Sequence, residues 1–185
     1  MPDDAVAELA ALVARVDELR PDVDTIARRL IEIYEQDGRV YTFGNGGSAA
    51  EAQHLAAELV GRYLRERRPL AATALSADSS VLTCIGNDYS FEDVFERQVQ
   101  ASVRKGDMVI AFTTSGRSSN VVRGLAAARE QGATTVVFAG GDAEPAADHA
   151  DHALIVPSAT TARIQEIHLL LVHLLVEQID AWAAQ

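Results

Sequence analysis

Two stretches of this chain, Met108-Val109-Ile110-Ala111-Phe112 and Thr134-Thr135-Val136-Val137-Phe138, are apolar or nearly so throughout. A strand with one wet face alternates between apolar and polar residues, so runs like these belong to strands covered on both sides. The segment between them reads as a helix ending near Gln131-Gly132, which makes a parallel pair joined by a crossover helix. Val40 to Phe43, Ala71 to Leu75 and Ala153 to Pro157 read as three further strands. Helical periodicity covers Asp3 to Gln36, where Pro21 opens a second helix, then Ser48 to Arg67, about Phe91 to Arg104, and Thr160 to Trp182. The expected fold class is therefore α/β, a five-stranded parallel sheet flanked by helices. One domain is expected over 1-185, with 1-37 a helical extension suited to oligomer packing and 38-185 the core. Right-handed crossovers gather the C-terminal strand ends on one edge, where sites in such folds form.

Composition narrows the partners. A chain of 185 residues, 48% of them hydrophobic, can bury a sizeable core. The formal net charge of −11 argues against a broad grip on nucleic acid or an anionic membrane, yet leaves room for a small anion held by a few local donors. Leu169 to Val176, the most apolar late stretch, is interrupted by His173 and is too short to span a bilayer. Cys84 is the only cysteine, so no intrachain disulfide can form, and a reducing compartment, the cytoplasm, is the expected location. Cys84 itself reads as a small core residue.

Two turns follow strand ends and lead into helices. Asn45-Gly46-Gly47-Ser48 offers glycines that let a ligand approach the backbone, or that merely turn a strand into a helix. Thr113-Thr114-Ser115-Gly116-Arg117-Ser118 supplies hydroxyls and backbone N–H groups at a helix start, which suits phosphate; the plainer alternative is an N-cap cluster. Asn87-Asp88 reads as a turn on its own. Arg62 lies four residues beyond Glu58, the spacing of a surface ion pair, with contact to an anionic substrate as the alternative.

His54 and Glu58 sit about 40° apart around one helix, close enough to bind a divalent ion together or to act in proton transfer. Gln165 and His173 lie on the last, very apolar helix with α-carbons about 12 Å apart along the axis, so sharing one ion requires both side chains to lean inward. His168 faces elsewhere and reads as structural. Asp148-His149-Ala150-Asp151-His152 has the composition of a metal site but the pattern of an exposed loop.

Taken together, these segments resemble the sugar isomerase (SIS) domain family and, within it, the phosphoheptose isomerases. The residues carrying the resemblance are Phe43 to Ala50, His54 to Tyr63, Gly86 to Tyr89, Thr113 to Ser118, and Arg163 to His168 with His173. The resemblance implies a flavodoxin-like SIS fold assembled as a homotetramer with active sites at subunit interfaces. It implies a sugar-phosphate substrate touched by Asn45, Gly46, Gly47, Asn87 and Asp88, with Thr113, Thr114, Ser115 and Ser118 on the phosphate. It implies Zn2+ surrounded by His54, Glu58, Gln165 and His173, with Glu58 and His173 also catalytic. The implied reaction converts sedoheptulose 7-phosphate to D-glycero-D-manno-heptose 7-phosphate through a cis-enediol. Ser48, Glu58, Arg62 and Gln165 complete the expected substrate contacts. A non-catalytic SIS scaffold that binds the replication initiator DnaA or senses sugar phosphates is the alternative; relatives of the initiator-binding type lack the full Glu/His pair. Arg117, where relatives frequently carry Asn, and Ala162, where some carry a polar residue, bear on substrate preference.

Overall fold

The computed structural model describes residues 2–185, with side chains from Asp4 onward. Helices α1 (Pro2–Val13) and α2 (Arg20–Glu35) lead into β1 (Val40–Gly44) and α3 (Gly47–Val60). Next come β2 (Ala72–Ala74), α4 (Ser79–Asp88), α5 (Glu96–Ser102), β3 (Met108–Phe112) and α6 (Ser119–Glu130). β4 (Thr134–Gly140), β5 (His152–Val156) and α7 (Thr161–Ala183) complete the chain. The five strands form one sheet in the order β2-β1-β3-β4-β5, and all pair in parallel. The chain moves outward from β1 to β2 and then returns past it to β3, so the topological switch lies between β1 and β3.

Alternate residues of the buried strands divide the interior in two. Met108, Ile110, Phe112, Val136 and Phe138 pack with α2, α3 and α7 on one face. Val109, Ala111, Val137 and Ala139 pack under α5 and α6 on the other. This explains the unbroken apolar runs: each face of these strands has its own helical cover. The N-terminal helices belong to the first layer, where α2 contributes Ile26, Leu30 and Ile33. Among the described residues, no helix is long and apolar enough to cross a membrane.

Three expectations need correction. A helix, α4, occupies a stretch given no element, opened by Asp78, whose side chain accepts from the N–H groups of Ser80 and Val81 at 2.9 and 3.1 Å. Cys84 is exposed on that helix rather than in the core, with Sγ 3.5 Å from Asp88 Oδ2. Helix α3 ends at Val60, not at Arg67.

The early stop has a specific cause. Asp180 of α7 accepts the N–H groups of Leu64 at 3.1 Å and Arg65 at 2.7 Å, and the Arg67 Nε–H at 3.0 Å. The Arg67 guanidinium in turn donates to the carbonyls of Glu58, Leu59 and Gly61 at the end of α3. Both side chains are buried, at 0% and 2% exposure. One carboxylate thus takes the place of the helical acceptors of two successive residues, Leu64 and Arg65, and one guanidinium satisfies carbonyls left open at the helix end.

Burial works against ionisation of Asp180, but the N–H groups of Arg65 and Leu64 together with Arg67 outweigh it and hold the carboxyl below its ordinary value. Asp180→Asn is expected to cost about 3–5 kcal/mol in urea unfolding at neutral pH, because Arg67 is left buried without a counter-charge. A depressed folded-state pKa contributes stability that is complete above the unfolded value of about 3.9 and is lost as pH falls through the folded one. The stabilities of wild type and variant should therefore converge on acidification below about pH 4.

Candidate active site

Three helix N-termini meet at the switch point. Gly46 adopts φ 56°, a conformation that side chains resist, and lets the chain leave β1 and enter α3 at once. Across from it, the β3–α6 turn brings Thr113, Thr114 and Ser118 to the same edge, and the start of α7 brings Thr161 and Gln165. Together with Asn45, Gly47 and Ser48 these residues line a cavity of about 220 Å³. Aligned helix dipoles and hydroxyls around a small opening favour an anion there, whatever the net charge of the whole protein.

The turn is built to leave hydroxyls free. Thr113 Oγ1 accepts the Gly116 N–H at 3.2 Å, which closes the turn from inside. Ser118 stands at the N-cap of α6, yet its hydroxyl makes no capping bond. The plain capping reading of this serine therefore fails, and the residue lines the cavity. Ser115 behaves differently: its Oγ accepts the Arg117 N–H at 3.2 Å, and it stands outside the cavity lining. Arg117 itself pairs with Asp142 on the surface, which offsets the charge that this position adds.

Gln165 lies directly over Gly47, so that a β-carbon at that glycine would collide with the amide. Asn45 exchanges two hydrogen bonds with Asn120, at 2.8 and 2.9 Å. Asn120 is buried in the first turn of α6 and holds the Asn45 amide in one orientation. Sequence reasoning missed Asn120 and Thr161; each stands at a helix start among other small polar residues, where nothing local singles it out.

Two turns further along α3, His54, Glu58 and His173 come together, with one ligand-type atom from each lying within 4.8 Å of the others. The Nε2 atoms of His54 and His173 are 3.1 Å apart, and Glu58 Oε1 is 3.4 Å from His54 Nε2. Two N–H groups cannot face each other at 3.1 Å, so at least one imidazole presents a lone pair to the centre. Two imidazoles and a carboxylate form a donor set suited to Zn2+. Tyr63, delivered by the clasp around Asp180, stacks on the His173 ring with centroids 5.4 Å apart and fixes its plane.

The remaining predicted residues lie elsewhere. Arg62 falls beyond the helix and sits 3.8 Å from Glu66, not paired with Glu58. Asn87 and Asp88 are exposed at the end of α4 and bond to each other at 2.8 Å. In the Asp148–His152 segment, Asp151 accepts from Thr135 N–H at 2.8 Å, ending the turn before β5.

A cavity at the switch point of a parallel sheet, beside a His/Glu cluster, defines a sugar isomerase (SIS) domain, and the SIS domain model matches residues 6–140. A phosphoheptose isomerase of Aquifex aeolicus (strain VF5) is 56% identical over 146 residues, 78% of this chain and 76% of that protein. One from Roseiflexus sp. (strain RS-1) is 45% identical over 178 residues, 96% and 90% of the two chains. The solved structure of a phosphoheptose isomerase from Neisseria gonorrhoeae gives a TM-score of 0.88 at 38% identity, covering 97% of this chain and 98% of that one. The chain belongs to the phosphoheptose isomerase family.

Ser118→Ala separates capping from ligand binding. Thermal unfolding should be unchanged within about 0.5 kcal/mol, whereas loss of a true cap costs about 1 kcal/mol. Calorimetric titration with a sugar phosphate should show weaker binding. A destabilised variant with unaltered affinity would return the hydroxyl to its helix.

Proposed function

We propose that this chain is an aldose–ketose isomerase that converts sedoheptulose 7-phosphate to D-glycero-D-manno-heptose 7-phosphate in heptose biosynthesis. The observation that carries this reading is the meeting of Glu58 and His173, far apart in sequence, beside a cavity suited to phosphate. Gly47 and His54 are seven residues apart on α3, an axial offset of about 10 Å. An extended seven-carbon sugar phosphate is of similar length at about 1.5 Å per bond, while a triose phosphate falls well short. With phosphate among Thr113, Thr114, Ser118 and the adjoining N–H groups, the first two carbons reach Glu58 and His173.

Glu58 removes the proton from C1 of the ketose while His173 gives a proton to the C2 oxygen, producing the cis-enediol. Glu58 then returns its proton to C2 as His173 takes the proton of the C1 hydroxyl, leaving the aldehyde and restoring both groups. Asn45, Gly46, Gly47 and Ser48 contact the sugar between the two ends. Zn2+ held by His54, Glu58 and His173, with Gln165 as fourth donor from the cavity side, would supply Lewis-acid polarisation of the carbonyl.

The active form in this reading is a cytoplasmic homotetramer. Leu64, Tyr89 and Phe91 are 65%, 59% and 65% exposed, a burden for a monomer, and they stand beside Arg62, Asn87 and Asp88. These three polar residues would complete the site across the subunit interface.

Glu58→Gln and His173→Gln should each lower turnover about 10²- to 10⁴-fold, read by coupled aldose formation, with the assembly intact by light scattering. Near-normal rates in both variants would remove the acid–base assignment. Elemental analysis should find zinc near one per subunit, with chelation abolishing and zinc restoring isomerisation. Full activity in chelated, zinc-free protein would sink the metal's role.

A further inference from the structure

Between the cavity and the His/Glu cluster lies a second, wholly internal glutamate–histidine pair that the mechanism does not use. Glu51 projects from α3 and is 8% exposed; His168 projects from α7 and is fully buried. His168 Nδ1 and Glu51 Oε2 are 3.6 Å apart. Neither carboxylate oxygen, nor His168 Nδ1, has a hydrogen-bond partner among the described residues. The imidazole is boxed by Phe112 and Phe138, whose rings lie at 6.0 and 5.9 Å in edge-on contact.

The protonation of this pair follows from its neighbours. His168 Nε2 is 3.2 Å from the Ala139 carbonyl, which only accepts, so Nε2 carries a hydrogen and donates. If the imidazole were neutral and Glu51 ionised, the Nδ1 lone pair would face a carboxylate lone pair in an apolar box. That arrangement is repulsive and leaves a buried charge unpaired. One additional proton between the two groups removes both penalties, whether drawn on nitrogen or on oxygen.

We propose that Glu51 and His168 share a buried proton and act as positioning residues that set the spacing of α3 and α7. The consequence differs at the two ends of the site. Gly47, Ser48, Thr161 and Gln165 of the two helices line the cavity, but its hydroxyl-bearing side, Thr113, Thr114 and Ser118, comes from the β3–α6 turn, which this spacing does not govern. The cluster depends on the two helices more directly: His54 and Glu58 come from α3 and His173 from α7, with Tyr63 stacked on the His173 ring as its further support. Loss of the strut should therefore lower kcat and zinc affinity while leaving phosphate-end binding, and hence KM, nearly as it was. The kinetic part of this inference rests on the isomerase reading; the shared proton does not.

Two measurements keep those parts separate. In protein labelled with ¹⁵N-histidine, the His168 Nδ1 signal should show a bound or bridging proton that disappears in Glu51→Leu. A wild-type Nδ1 with the signature of a bare lone pair overturns the shared proton. The double substitution Glu51→Leu/His168→Phe removes the polar atoms that join the two helices while keeping the interior apolar, a replacement that buried pairs commonly tolerate. It should remain folded, with kcat at least tenfold lower, zinc binding at least tenfold weaker and KM within about twofold of wild type. Wild-type kcat and zinc affinity in that variant would refute the positioning role. If the double variant fails to fold, Glu51→Gln gives the same reading: its amide can donate to Nδ1 and should restore most of the kcat that Glu51→Ala loses. Equal loss in both refutes the strut. Absence of isomerase activity in the wild-type protein, with the bridging proton present, would refute the proposed reaction and not the pair.

Discussion

The contact between α3 and α7 governs this molecule more than any other. Its partners advance together along both helices: Gly47 with Gln165, Glu51 with His168, His54 with His173, and the residues after Val60 with Asp180. The helices therefore run side by side in the same direction, and several turns of their seam carry a polar contact inside an otherwise apolar layer. Such contacts are costly unless matched, which makes the register of the two helices specific. A slip of either helix would unmatch every pair at once.

The same seam separates two kinds of task. At its N-terminal end, glycine and amide leave room for a ligand beside converging helix dipoles. In its middle, titratable side chains face each other. At its far end, Arg67 and Asp180 close the structure and deliver Tyr63 to the His173 ring. Net charge plays little part in this arrangement. A protein carrying −11 overall can still present an anion site, because backbone dipoles and hydroxyls within a few ångströms outweigh distant carboxylates screened by solvent.

Much of the fold was legible because its signals are local. Uninterrupted apolar strands gave the parallel sheet, and the glycine-rich turn after β1 with the hydroxyl-rich turn after β3 marked the edge where the cavity forms. Helix α4 was overlooked because it is short and mostly exposed, with only Ile85 buried; Asp78 at its cap is what announces it. The end of α3 was misplaced for a different reason. Nothing between Gly61 and Arg67 forbids helix strongly enough, and the acceptor that stops it, Asp180, lies more than a hundred positions away in the chain. The Glu/His meeting at His173 was expected through family resemblance; helical spacing by itself offered only His54 with Glu58. The reciprocal Asn45–Asn120 bond and the Glu51–His168 pair carry no pattern in sequence, since each joins elements whose adjacency is a product of the fold.

A site divided in this way can change in one part while the other is held. The cavity is bounded by turns at the sheet edge, where Arg117 and Ala162 are both exposed and can be exchanged without disturbing buried packing. The reactive cluster hangs on two helices locked by matched polar contacts, where substitution of one partner strands the other. Differences in what the cavity accepts should therefore accumulate at the rim. The geometry of His54, Glu58 and His173 is constrained by the interior behind them, and a chain that lost that interior would lose the geometry even with all three side chains retained.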